Sequence, residues 1–297
     1  MQLSQIVLLT DKCSFSEYLI AYASSKGLEP IHLTEAGVQD TTLYCASHQL
    51  TRRIEIHTVD GITLSDKTIL GILRLTGDFM PHQLRQADHL SKDYVKSAYI
   101  ALWLHILNST EYVINPLHHE MLCGSYFYLP RLYNKMQKFG LRTPRWRFSS
   151  VAKHVAKQYV SVKSFQRCFD VRPVIQTKHS QIYKHEGDWL FCLHVLGKLF
   201  FSNQSLKTTP SVGEQKKIQG FCSDLKLDTC EILMMYHNKQ YMIYAISRQP
   251  DWQGRWQCYW PQVAQQLLEA FIPRRLPKFK SNMETFIQKK HLPMCRS

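Results

Sequence analysis

The first apolar run, Gln5-Ile-Val-Leu-Leu-Thr10, is short, is closed by Asp11, and predicts a buried strand. From Ser16 to Ser25 the apolar positions Tyr18, Leu19, Tyr22 and Ala23 take helical spacing, and Gly27 supplies a stop. Pro30 to Thr34 reads as the next strand. A strand–helix–strand opening predicts a parallel sheet. Ile54, Ile56 and Val59 mark a further strand within Arg53 to Val59, and Thr68 to Leu75 one more, with Arg74 at its end. The period then changes. Between Gln86 and Leu107 apolar residues recur at 90, 94, 95, 98, 102 and 106, which predicts a long amphipathic helix. Tyr112 to Asn115-Pro116 is a short strand running into a turn. Tyr126 to Phe139 is a second helix stopped by Gly140, and Thr143-Pro144 marks a boundary.

Beyond Pro144 the pattern favours strands: Tyr159 to Lys163, Pro173 to Gln176, and Leu190 to Phe201 folded as a hairpin at Gly197-Lys198. Ser211 to Leu225 is helical. Glu231 to Tyr236 and Tyr241 to Ile246 pair across His237-Asn238-Lys239-Gln240, and Trp260 to Phe271 forms a closing helix. No internal repeat is present. The fold class is α/β in the first half and α+β in the second.

Composition narrows the class. The chain has 297 residues, 44% of them apolar, enough for a sizeable core. No apolar run reaches the roughly 18 residues of a membrane helix, and Met1-Gln2-Leu3-Ser4 lacks the pattern of a signal peptide. A soluble, cytoplasmic protein without membrane contact is expected. The nine cysteines are scattered, with no Cys-x-x-Cys pair, which disfavours a disulfide framework or a zinc knuckle. Cys192 and His194 share a face if they lie on a strand. Without a second half, such a pair reads as packing rather than a metal site. His118-His119-Glu120 reads the same way, since adjacent histidines point apart.

The net charge of +14 favours anionic partners. Residues 273–297 concentrate it, with Arg274, Arg275, Lys278, Lys280, Lys289, Lys290 and Arg296 against Glu284. This basic tail reads as a solvated arm; nucleic acid is the sharper alternative. Trp252, Arg255, Trp256, Tyr259 and Trp260 read as packing or interface residues, with base stacking as the alternative. Gly-x-Ser-x-Gly, P-loop and Gly-x-Gly-x-x-Gly motifs are absent.

The order of elements resembles the ATP-grasp superfamily, in the branch of ribosomal-protein modification ligases and peptide maturases. The resemblance rests on Gly71-Ile-Leu-Arg74, Val113-Ile-Asn-Pro116, and the join from Asn134 through Gly140-Leu to Thr143-Pro144. It implies a pre-ATP-grasp-like α/β domain over 1–116 and an ATP-grasp-like domain over 117–272. A short lid would lie at about 145–176, and the basic tail would follow. It also implies ATP and magnesium as cofactors. Lys163 would touch phosphates, a point charge suited to phosphate oxygens. Ile175 and Gln176 would lie on the strand that reads adenine. Arg74 would hold a reacting carboxylate, and Glu231 would be the first metal ligand.

Three departures stand against that chemistry. The loop Phe165 to Arg172 holds no glycine, although close backbone approach to phosphate generally needs one; Arg167 or Arg172 could supply charge but not that loop. The family arginine five residues before the hairpin glycine falls on Cys192, with His194 a weak stand-in. The family Glu-x-Asn falls on Ala245 and Ser247, and no Glu or Asn lies anywhere from Tyr241 to Pro250. Phosphoryl transfer depends on positioning and charge neutralisation, so a degenerate ATP-grasp-like protein is expected. It would be a pseudoenzyme that binds a peptide or protein, a paralogous ligase or a second copy of itself. The alternatives are a working ATP-dependent carboxylate–amine ligase, which leaves enzymatic activity open, and a basic nucleic-acid-associated module.

Overall fold

The structure, a computed structural model, describes residues 5–34, 42–48, 51–58, 60–65, 68–75, 89–110, 112–116, 129–148, 159–161, 180–183, 188–202, 209–248 and 250–272. The opening run forms β1 (Gln5–Leu9). It pairs in parallel with β2 (Glu29–Leu33) on one side and with β6 (Ile69–Arg74) on the other. A short β7 (Val113–Ile114) adds in parallel to β6, giving the order β2-β1-β6-β7. After Gln5, β1 is apolar because both of its faces are covered. Ile6 and Leu8 face α1 (Ser14–Ser25) and the closing helix, while Val7 and Leu9 share a core with Trp103, Ile106 and Leu107 of α2 (His89–Ser109). Between β2 and β6 an antiparallel sheet is inserted, with β3 (Thr42–His48), β4 (Thr51–His57) and β5 (Thr63–Ser65) in that order. The sequence pattern predicts the middle strand but not β3.

The second half is built on an antiparallel sheet of order β12-β11-β13-β14. β11 (Asp188–Val195) turns into β12 (Lys198–Phe201), and β13 (Thr229–His237) turns into β14 (Gln240–Ser247). The first turn is centred on Leu196-Gly197, one residue earlier than expected. Both take positive φ, 45° and 86°, as do Asn238 and Lys239 in the second turn, at 49° and 62°. Such two-residue turns twist with the strands they join. One face of this sheet is covered by α3 (Leu129–Lys138) and α4 (Val212–Asp224) through Tyr133, Met136, Ile218 and Phe221. On α4, Ser211 and Glu214 form a reciprocal capping box. The other face carries Leu193 and Val195 into a core shared with α1, β1, β6 and α5 (Trp260–Glu269). Gly71 in β6 permits the close approach of this layer, since a Cβ there would lie 2.4 Å from the Phe271 ring. A third antiparallel sheet, β8-β10-β9, comprises β8 (Trp146–Phe148), β9 (Tyr159–Ser161) and β10 (Ser180–Tyr183); β8 and β10 are not predicted by the sequence pattern.

The two halves are joined by a buried asparagine. Asn115, at φ 57°, receives the Thr229 N–H on its side-chain oxygen at 2.8 Å. Its side-chain nitrogen donates to the Arg74 carbonyl at 3.1 Å and to the Thr229 hydroxyl, and its own N–H donates to Asp228 Oδ2 at 2.8 Å. One residue thereby ties β6 to β13. Asn115→Ala strands buried partners and leaves a left-handed alanine, so a loss of about 3 kcal/mol is expected in urea unfolding. A loss below about 1 kcal/mol, within the range of a single ordinary hydrogen bond, would mean that the junction is not structural.

Candidate functional site

The antiparallel register brings the three positions that the resemblance assigns to metal ligands onto one face. Glu231 lies opposite Ser247, and Leu233 opposite Ala245, so Ala245 sits two residues along from Ser247 on the same side. Leu193 of β11 lies on the other flank of Glu231.

The Glu231 side chain is fully buried. A buried carboxylate needs donors, and three reach it. Arg255 Nη1 pairs with Oε1, Trp256 Nε1 donates to Oε1 at 3.0 Å, and the Asp251 N–H donates to Oε2 at 3.2 Å. The chain order explains the geometry. Pro250-Asp251 ends the strand, and Asp251 Oδ1 takes the Gly254 N–H at 3.2 Å, so the backbone turns back over the sheet. Arg255 then arrives above Phe191, its guanidinium carbon 3.6 Å from the ring centroid, a cation–π contact. Burial pushes the Glu231 carboxyl above its usual range. The Arg255 charge is the largest influence pulling it back, followed by the hydrogen bonds from Arg255, Asp251 and Trp256.

The resemblance assigns the first metal ligand to Glu231; the structure gives that carboxylate an arginine and two further donors. Magnesium demands oxygen ligands in near-octahedral geometry. Ala245 offers none, both Glu231 oxygens are engaged, and Ser247 contributes one hydroxyl. The side chains at these positions do not fit the ion.

Cys192 lies opposite Ile232, hence on the other face of the sheet from Glu231, with its thiol pushed well up chiefly by burial. His194 shares that face, its Nε2 taking the Gly197 N–H at 3.1 Å. Neither is a cation directed at Glu231. Arg74 is buried at the end of β6, where Nη1 donates to the Asn115 carbonyl at 3.4 Å. Arg248 is buried near the same junction, donating to the Pro116 carbonyl at 3.2 Å, and burial lowers its pKa to about 10. Lys163, Ile175, Gln176, Arg167, Arg172, His118-His119-Glu120 and the basic tail lie outside the described residues.

Arg255 is the residue that sequence reasoning misplaces by reading it only as part of an aromatic patch. Trp252 stacks on Phe15 at 4.6 Å and Trp256 is fully buried, so the patch is core. No local sequence signal marks the pair, because Arg255 meets Glu231 across 24 residues.

Arg255→Ala would leave a buried carboxylate without its counter-ion, and a loss of about 3 kcal/mol at pH 7 is expected. The sign with pH follows from the raised Glu231 pKa. The folded state takes up the proton first as pH falls, so stability returns as pH drops through the folded pKa and is restored below the unfolded value of about 4.3. Urea unfolding of the variant at a series of pH values measures this. A deficit that grows as pH falls towards 5 would contradict the assignment.

No family model matches the chain, and no curated protein matches it. Solved structures do. The macrocyclase MdnC of Microcystis aeruginosa MRC, bound to precursor peptide MdnA, superposes with a TM-score of 0.66 at 11% identity, over 91% of this chain and 99% of that one. A RiPP-associated ATP-grasp ligase of Chryseobacterium gregarium, in complex with ADP and a leader and core peptide, gives 0.62 at 11% identity, over 92% and 97%. The ATP-grasp ligase PsnB, complexed with minimal precursor, Mg and ADP, gives 0.63 at 10% identity, over 92% and 98%. At 10–11% identity these are likenesses of fold, and the chain has the ATP-grasp fold of those ligases.

Proposed function

We propose that this protein is an ATP-grasp-fold pseudoenzyme that acts by binding, as an accessory subunit to a peptide- or protein-modifying ligase. The observation that carries the reading is the Glu231–Arg255 pair. The acid at the first ligand position is neutralised by the chain's own guanidinium, while its two companion positions are Ala245 and Ser247. An arginine held by a carboxylate, a tryptophan below it and an aromatic ring against it is a structural element rather than a vacancy for a metal.

The peptide side of the proposal draws on the neighbours, several of which hold precursor peptides. It also draws on a cavity of about 250 Å³ beside β14, lined by Leu141, Arg142, Lys217, Ile218 and Tyr241 among others. Arg142 and Lys217 outweigh the Glu214 carboxylate that also lines it, and beside Leu141, Ile218 and Ile243 they suit an acidic or apolar peptide side chain. The net charge of +14 favours an acidic partner in the same way.

The test is calorimetry of the full chain with ATP, once with magnesium and once with a chelator, paired with an assay for ADP. The expected result is the same heat in both titrations and no ADP. Nucleotide binding that requires magnesium, or magnesium-dependent ADP release, would establish a working ligase instead.

A further inference from the structure

The sheet face opposite Glu231 carries a second chemical cluster, independent of the nucleotide question. His194 on β11 lies directly across from Cys230 on β13, so their side chains share the face covered by α4. Cys222 reaches them from the last turn of α4. One ring nitrogen of His194 and the sulfurs of Cys222 and Cys230 all lie within 4.8 Å of one another. Cys192, two residues before His194 on the same face, is close enough to Cys230 for their charges to interact. All four side chains are buried, His194 at 3% exposure and the cysteines at 0%. The strand pair Cys192/His194 thus acquires the second half that its spacing alone does not supply.

We infer that Cys222, Cys230 and His194 form a buried structural site for a zinc-class divalent ion.

The geometry suits such an ion. The two sulfurs of Cys222 and Cys230 stand 3.8 Å apart. Thiolates about 2.3 Å from a tetrahedral zinc stand about 3.8 Å apart. The donor set is sulfur and imidazole, which selects a borderline-soft ion over magnesium or calcium. His194 adds an independent sign. Its Nδ1 is buried without a hydrogen bond. A buried polar atom left so calls for a partner. The Cys222 contact and burial push the Cys230 thiol well up, and His194 pulls it back. Nε2 holds the Gly197 N–H at 3.1 Å, but Gly197 sits in an exposed turn. Its amide can turn to water, which lets the ring carry its proton on Nε2 and offer Nδ1 to the ion.

Charge closes as well. Binding expels the protons of two thiols, and a dication with two thiolates and a neutral imidazole carries no net charge. Burial of all three ligands keeps substrate from the ion, so the role is structural. The ion would pin α4 to β11 and β13.

The experiment uses the full chain, purified with a thiol reductant from zinc-supplemented medium and passed through gel filtration. Elemental analysis is expected to find stoichiometric zinc. Cobalt titrated into protein stripped of metal should produce sulfur-to-cobalt charge-transfer absorption and the visible bands of a tetrahedral ion. Cys222→Ser and Cys230→Ser should each lower retained zinc at least five-fold, while His194→Cys should retain it. The wild-type cobalt titration keeps the test decisive if a serine variant fails to fold. Metal-free wild-type protein with a featureless cobalt spectrum overturns the site. So does zinc that persists in folded Cys222→Ser/Cys230→Ser protein, or a mass that shows Cys222 and Cys230 joined as a disulfide under reductant.

Discussion

A carboxylate at the centre of β13 sets the terms for half of the molecule. Glu231 is fully buried between two strands, where an unpaired charge would not be tolerated. Its three donors come from the segment 251–256 that follows β14. That segment must therefore fold back over the sheet, and in doing so it delivers Trp252 to Phe15 and Trp256 to the core beneath α5. The placement of α5 between the parallel and antiparallel layers follows from this return. The cation that meets Glu231 belongs to the chain itself and lies against the Phe191 ring. The carboxylate thereby organises a core.

The junction at Asn115 has a similar logic. A left-handed residue between β7 and Pro116 presents its side-chain amide to β13 and β6 at once. Asn tolerates that conformation better than most side chains, and its amide supplies both donor and acceptor. Arg248 closes the same corner from the end of β14 by donating to Pro116. Asp228 accepts the Asn115 N–H, although burial raises its carboxyl above the usual range. The polar groups at this seam serve one another, which permits the two halves to meet without an apolar interface alone.

Much of this was legible in the sequence for a local reason. Gln5 to Leu33 declares itself because a strand buried on both faces is uninterruptedly apolar and the helix after it has a clear period. The hairpin from Glu231 to Ile246 declares itself through two matched apolar runs around Asn238-Lys239. β3 does not, since Thr42 to His48 mixes polar and apolar residues with weak alternation. β8 and β10 are too short to show a period. The turn at Leu196-Gly197 is hidden because leucine is an unusual residue for a positive φ. The Glu231–Arg255 pair spans 24 residues and depends on a turn that only the folded chain displays. The Cys–His cluster is harder still. Cys192 and His194 are visible as neighbours, but Cys222 and Cys230 join them from a helix and another strand.

Glu231 and Cys230 are adjacent in β13, so their side chains leave opposite faces of one strand. On one face the carboxylate meets Arg255; on the other the thiol meets His194 and Cys222. A slip of one residue would exchange them. It would drive the carboxylate into the apolar layer beneath α4, among Ile218 and Phe221, and leave Arg255 facing a thiol. Either consequence alone is costly, and they come together. The register that places Glu231 opposite Ser247 is thus held from both sides of the sheet.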